Sequence, residues 1–129
     1  MKKVRDKELY DQYLFDYPFC MVCRGKNGRH LSRHHIIGGA GRSDERCNLL
    51  VVCVECCHPL LEGARVIRNG ERIEPITLGQ SLSIKLAVTP DEWDAERLRE
   101  LRGAALPDME PIPDWVEAKP ISPFMKVER

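Results

Sequence analysis

The chain has 129 residues, with 20 basic and 20 acidic side chains and a pI near 6.9. That length favours one domain with extensions over two full domains, and no apolar run is long enough to span a bilayer. A neutral total neither suggests nor excludes a nucleic-acid partner, but the charges are unevenly placed. Between Arg24 and Arg46 six bases (Arg24, Lys26, Arg29, Arg33, Arg42 and Arg46) face only Asp44 and Glu45, whereas nine acids between Asp91 and Glu117 face only Arg97, Arg99 and Arg102. A basic segment in a neutral protein is the footprint of a face that meets a polyanion, although ordinary solvated surface would read the same way. The first residues, Met1-Lys2-Lys3-Val4-Arg5, start like an export signal, but no apolar stretch follows. The expected location is therefore the reducing cytoplasm, where six cysteines are metal ligands more readily than disulfide partners.

In chain order, residues 6–15 read as a short helix ended by Pro18, and Cys20-x-x-Cys23 as a tight turn before a glycine-containing loop over 24–29. Leu31 to Ile37 is a candidate strand with His34 and His35 in its middle. Gly38, Gly39 and Gly41 follow as a loop, either a plain connection or a place where backbone approaches a phosphate. Asn48-Leu-Leu-Val-Val is a second β-rich run. A short helix should start near Cys56 and stop at Gly63. The pair Asn69-Gly70 between two β-prone runs predicts a hairpin. Residues 78–88 carry both signals: a Thr77/Gln80 capping box with Leu78, Leu82 and Leu86 at helical spacing, and a strand-like alternation of Leu82, Ile84, Leu86 and Val88. The helical reading is preferred. Thr89-Pro-Asp-Glu predicts a further helix running to about Arg102 and closed by Gly103. From Pro107 on, prolines among acids predict an extended, poorly packed tail.

Cys20-x-x-Cys23 and Cys53-Val-Glu-Cys56-Cys57 form two half-sites about thirty residues apart, a usual layout for a tetrahedral structural zinc. The second half-site offers either Cys56 or Cys57. In so small a core a metal supplies stability that few aromatics can. Cys47 lies outside both pairs and reads as a small core residue. Three histidines, His34, His35 and His58, fall between or beside the cysteine pairs. On a strand His34 and His35 point to opposite faces, so one can bind a metal while the other holds a water. Imidazole titrates near neutrality, which suits a general base. His30 reads as an exposed loop residue, with contact to DNA or a metal as the other option.

Taken together, Cys20-x-x-Cys23, His34-His35-Ile36, Asn48-Leu49-Leu50 and Cys53…Cys57-His58 resemble the HNH endonucleases in order and spacing, over roughly residues 18–62. The resemblance implies an α+β fold: a ββα-metal, treble-clef-like core with an added hairpin and helices. The expected organisation is an HNH nuclease core with its N-terminal helix over 1–63, a hairpin and helical extension packed on it over 64–106, and a proline-rich, largely extended tail over 107–129. It further implies His34 and His58 as ligands of a catalytic divalent ion (Mg²⁺, Mn²⁺, Ni²⁺ or Zn²⁺). His35 becomes the general base, and Asn48 the residue that ties down the loop and holds the base in orientation. Cys20, Cys23, Cys53 and Cys57 become the structural zinc ligands. Family members usually read Cys-x-x-Cys-His, and the extra residue here leaves Cys56 as the alternative; Cys57 is preferred because it keeps the Cys-His dipeptide. Arg33, Arg42 and Arg46 are candidate DNA phosphate contacts. Many compact relatives are encoded by phages and mobile elements, so the cytoplasm would be that of the host. The expected activity is metal-dependent hydrolysis of DNA. A non-catalytic zinc module that binds nucleic acid would explain the cysteines and the basic segment, but not the His34, His35, Asn48 and His58 set.

Overall fold

The computed structural model describes residues 3–24 and 30–121. The loop over 25–29, with Lys26 and Arg29, and the last eight residues lie outside the described residues. The fold is mixed α/β, with four helices and two small antiparallel sheets among the described residues. No described helix is long and apolar enough to cross a membrane.

Helix α1 (Lys7–Asp16) starts where the Asp6 carboxylate accepts from the Leu9 N–H at 3.0 Å, satisfying one orphan donor of the first turn. Strands β1 (Leu31–His35) and β2 (Leu49–Cys53) pair antiparallel, with Leu31 opposite Cys53 and His35 opposite Leu49. Every residue of β2 is buried, because α1, β1 and the later helices cover both its faces. Helix α2 (Cys57–Leu61) follows at once. Its Pro59 sits in the first turn, where a missing N–H leaves no intrahelical bond unmade. Strands β3 (Val66–Arg68) and β4 (Glu71–Ile73) form the expected hairpin, with Asn69 at φ 54° and Gly70 at φ 80°, the left-handed pair that a two-residue turn of this hand requires.

Helix α3 (Leu78–Val88) begins with the capping box in place: Thr77 Oγ1 accepts from the Gln80 N–H, and the Gln80 amide oxygen accepts from the Thr77 N–H. Its buried residues (Gly79, Ser81, Leu82, Ile84, Lys85 and Val88) lie all round the cylinder, which is why its sequence also alternates like a strand. The helix expected from Thr89 is interrupted. Pro90–Glu92 form one 3₁₀ turn, and α4 (Ala95–Arg102) starts afresh with Asp94 as its cap, ending at Gly103 in the left-handed region. The break has a cause. Glu92 turns inward, accepting hydrogen bonds from Lys85 Nζ at 2.8 Å, Tyr13 Oη at 2.7 Å and Tyr17 Oη at 2.9 Å. Lys85 is fully buried and also donates to the Leu49 carbonyl at 2.9 Å. This polar knot ties α1, β2 and α3 together in the middle of the core. Arg46 belongs to it: its guanidinium pairs with Asp16 and, at 3.2 Å, with Glu92.

As far as residue 121, the tail is extended, but it is packed rather than loose. The Glu110 N–H donates to the Gly79 carbonyl, Ser83 Oγ donates to the Glu110 carbonyl, and the Glu117 N–H donates to the Val22 carbonyl. A Cβ at Gly79 would stand 2.5 Å from the Asp108 carbonyl, so only glycine lets the tail cross α3 there. Gly41 has a similar reason: a Cβ would stand 2.1 Å from the Leu101 carbonyl. The glycine loop is therefore the seat of α4.

Candidate metal centres and catalytic face

Among the described residues, two clusters of metal-ligating side chains gather where β1, β2, α2 and the turn over 20–23 meet. In each, the donor atoms lie within 4.8 Å of one another. The first is Cys20, Cys23, Cys53 and Cys57. Cys53 ends β2, Cys57 opens α2, and the turn over 20–23 is fastened to β2 by the Met21 N–H donating to the Val51 carbonyl at 2.8 Å. The Cys23 N–H donates to Cys20 Sγ and the Cys57 N–H to Cys53 Sγ, the N–H···S pattern that stabilises thiolate ligands. Hydrogen bonds from Cys20, Cys23 and Cys57 hold the Cys53 thiol well below its ordinary pKa, while the same contacts push Cys20 and Cys57 up. Four buried or half-buried sulfurs form a set that could hold a metal ion. Cys57, not Cys56, completes it. Cys56 caps the helix with a non-helical backbone (φ −133°), and its Sγ lies 3.9 Å from the Arg68 guanidinium instead. Cys47 is buried apart from both clusters.

The second cluster is His34, His58 and Glu62. His34 comes from β1 and His58 from the first turn of α2, and their rings meet edge to face at 5.4 Å. Glu62 lies one turn beyond His58 on the same helix face, with its carboxylate 3.4 Å from His58 Nε2. Burial, then the nearby His58 and His35, lower the His34 pKa from 6.5 to about 4. A neutral imidazole, lone pair available, is the form a metal needs.

His35 faces the other way. Its Nε2 lies 2.9 Å from Asp44 Oδ1, and Tyr10 of α1 stacks on its ring at 5.7 Å. The Asp44 carboxyl has a lowered pKa: partial burial opposes ionisation, but the His35 hydrogen bond and the Asp6 N–H outweigh it. An ionised carboxylate only accepts, so His35 Nε2 is the donor in this pair, which in the neutral ring leaves the lone pair on Nδ1. Asn48 is fully buried behind this pair. Its Oδ1 accepts from the Ile37 N–H at 2.8 Å, while its Nδ2 donates to the carbonyls of Ile37 and Ser43, each at 3.2 Å. Asn48 thus pins the end of β1 to the residue before Asp44, and through Asp44 fixes His35.

A cavity of about 550 Å³ is lined by His34, His58 and Glu62 together with His35, Arg33 and Arg42. Arg33 lies over the Tyr10 ring at 4.1 Å. Arg46 does not reach this cavity; its pairing with Asp16 and Glu92 makes it a brace within the core rather than a phosphate contact. His30 is exposed, near Glu55 at 3.7 Å, and belongs to neither cluster. Sequence reasoning missed Glu62, Asp44 and Tyr10. Glu62 was signalled by its four-residue spacing from His58. Asp44 carried no local signal, because it lies nine positions along the chain from His35.

No family model, curated protein or solved structure matches the chain. The functional reading therefore rests on the site itself.

Proposed function

We propose that the protein is a metal-dependent endonuclease of the HNH type, which hydrolyses DNA phosphodiesters from a ββα-metal core made of β1, β2 and α2. The observation that carries this reading is the single cavity in which a three-donor ligand cluster, an oriented histidine and two arginines converge. A closed set of four cysteines suits a structural zinc, whereas a His-His-Glu set that opens into a cavity leaves positions for substrate and water.

His35 Nδ1 takes a proton from water as the water oxygen bonds to phosphorus, and Asp44 stabilises the imidazolium that results. The bond from phosphorus to the 3′ oxygen breaks, and that oxygen gains a proton from solvent, giving a 3′-hydroxyl and a 5′-phosphate. A divalent ion held by His34, His58 and Glu62 would supply Lewis-acid stabilisation of the charge that develops on the phosphate oxygens. Arg33 and Arg42 grip the backbone without reading sequence. Mixed nitrogen and oxygen donors suit Mn²⁺, Ni²⁺ or Zn²⁺ and also admit Mg²⁺.

The test is cleavage of supercoiled plasmid with Mg²⁺, Mn²⁺ or Ni²⁺, run beside His35→Ala. Nicking should need the metal and fall roughly 10²–10⁴-fold in a variant that keeps its thermal transition. A wild-type protein that binds DNA yet fails to cut it with any of these metals would instead be a non-catalytic zinc-binding module.

A further inference from the structure

On the far side of His35 lies a second cavity, of about 460 Å³, lined by Arg5, Lys7, Tyr10, Arg42 and Asp44 among others. It shares Tyr10, His35 and Arg42 with the first cavity, so the two adjoin at these three residues. We propose that this second cavity is a subsite for a further backbone phosphate of the bound DNA strand, with Arg5 and Arg42 as its ligands. The inference rests on the nuclease reading and deepens it.

Arg5 and Arg42 share one cavity and, like Arg72 on β4 but unlike four other arginines, have no carboxylate partner among the described residues. Arg46 is tied to Asp16 and Glu92, Arg97 to Glu45, Arg65 to Glu74 and Arg99 to Glu96. Among the described residues, neither Arg5 nor Arg42 makes a side-chain hydrogen bond or a carboxylate ion pair within 4.0 Å, and both are exposed. The carboxylates that share their cavity are already engaged. Asp11 accepts from Lys7 at 2.8 Å, and Asp44 accepts from His35 and from the Asp6 N–H. The lining carries Arg5, Lys7 and Arg42 against Asp11 and Asp44, whose charge also feels Arg5, and so keeps a net positive charge; the planar forks of its two guanidinium groups match phosphate oxygens.

Arg5 is also held in place. Its neighbours Val4 and Asp6 are both bonded to the 43–44 loop: the Val4 N–H donates to Ser43 Oγ at 2.6 Å, the Asp44 N–H to the Val4 carbonyl at 2.7 Å, and the Asp6 N–H to Asp44 Oδ2 at 3.0 Å. Residues 4–6 thus run as a strap along the loop that orients His35. A strap fixed on both sides of Arg5 lowers the entropy lost when phosphate binds. A free phosphate would fill one cavity only, whereas a strand with phosphates at intervals fills both.

The experiment measures duplex affinity by fluorescence anisotropy as a function of KCl, without added divalent ion, for wild type, Arg5→Gln, Arg42→Gln and, as a control, Arg99→Gln. Each neutralised phosphate contributes about 0.9 to the slope of log affinity against log salt. Arg5→Gln and Arg42→Gln should each flatten the slope by about that amount, and Arg99→Gln should not change it. Because Arg42 lines both cavities, Arg5→Gln is the deciding variant: an unchanged slope there overturns the subsite while leaving the nuclease reading intact. A wild type that binds no duplex overturns both. Flattened slopes in a protein that fails to cut with any of these metals sustain the subsite and overturn the nuclease reading.

Discussion

The cysteine cluster and the histidine cluster are served by neighbouring residues of one helix turn, Cys57 and His58, yet they are built on opposite rules. The cysteine set is closed: four donors, sulfur–backbone hydrogen bonds, and packing against a wholly buried strand. The histidine set has three donors and faces a 550 Å³ cavity. The first arrangement holds chain segments together; the second holds a position open. The same hairpin carries both, with Cys53 at one end of the β1–β2 ladder and His34 and His35 toward the other.

That contrast is breakable, and the largest effect is expected at the closed cluster. Cys53→Ser, or stripping metal with a strong chelator, should abolish the cooperative thermal transition. A structural zinc contributes on the order of 10 kcal/mol, comparable with the whole stability of a small domain. Circular dichroism and zinc content read this directly; a normal melt after full metal removal would sink the structural role. Next comes the Lys85–Glu92 pair, polar and buried but made without metal. Glu92→Gln strands the Lys85 charge and should cost roughly 3–5 kcal/mol. Burial works against Glu92 ionisation, but Lys85 and the two tyrosines outweigh it, and its folded pKa lies below 4.5. Its contribution is thus present above 4.5 and fades as pH falls through the lower folded value. Melts from pH 7 to pH 3 should show that loss in wild type and not in Glu92→Gln, with chelator irrelevant to the difference.

At the open cluster the effects fall on activity. Asp44→Ala should lower plasmid nicking about 10–100-fold, the scale seen when a histidine loses the partner on its other ring nitrogen, with little change in melting temperature. A variant that cuts at the wild-type rate would remove Asp44 from the account of His35. The smallest effect is reserved for Cys56. Cys56→Ser should bind the same amount of zinc and lose no more than about 1 kcal/mol. A drop in zinc stoichiometry would return Cys56 to the ligand set.

What could be read from sequence was local. The Asn69-Gly70 hairpin, the Thr77/Gln80 capping box and the Gly103 helix stop are each written in two to four consecutive residues, and each formed. The cysteine half-sites and the histidines were legible because ligand chemistry permits few residue types. The preference for Cys57 over Cys56 came from its place beside His58, and the cluster that forms contains Cys57. The break at Pro90–Glu92 was not legible, because what overrides the helix start is Glu92 reaching Lys85, Tyr13 and Tyr17, all distant in the chain or hidden by burial. The acidic, proline-rich tail was read as loose for the same reason: its partners are backbone groups of Gly79 and Val22, which no composition signals.

The seat of α4 on Gly41 bears on how this unit can be divided. The loop between β1 and β2 presents Asp44 to His35, and it is gripped from beyond residue 90 at two points: Leu101 closes over Gly41, and Arg97 binds the Glu45 carboxylate at 2.7 Å. A fragment ending at residue 63 would contain every candidate metal ligand and still leave that loop without its brace. Any unit that keeps this loop braced therefore extends at least to Gly103, and insertions or grafts that treat the first half as self-sufficient would transplant the candidate ligands without the geometry.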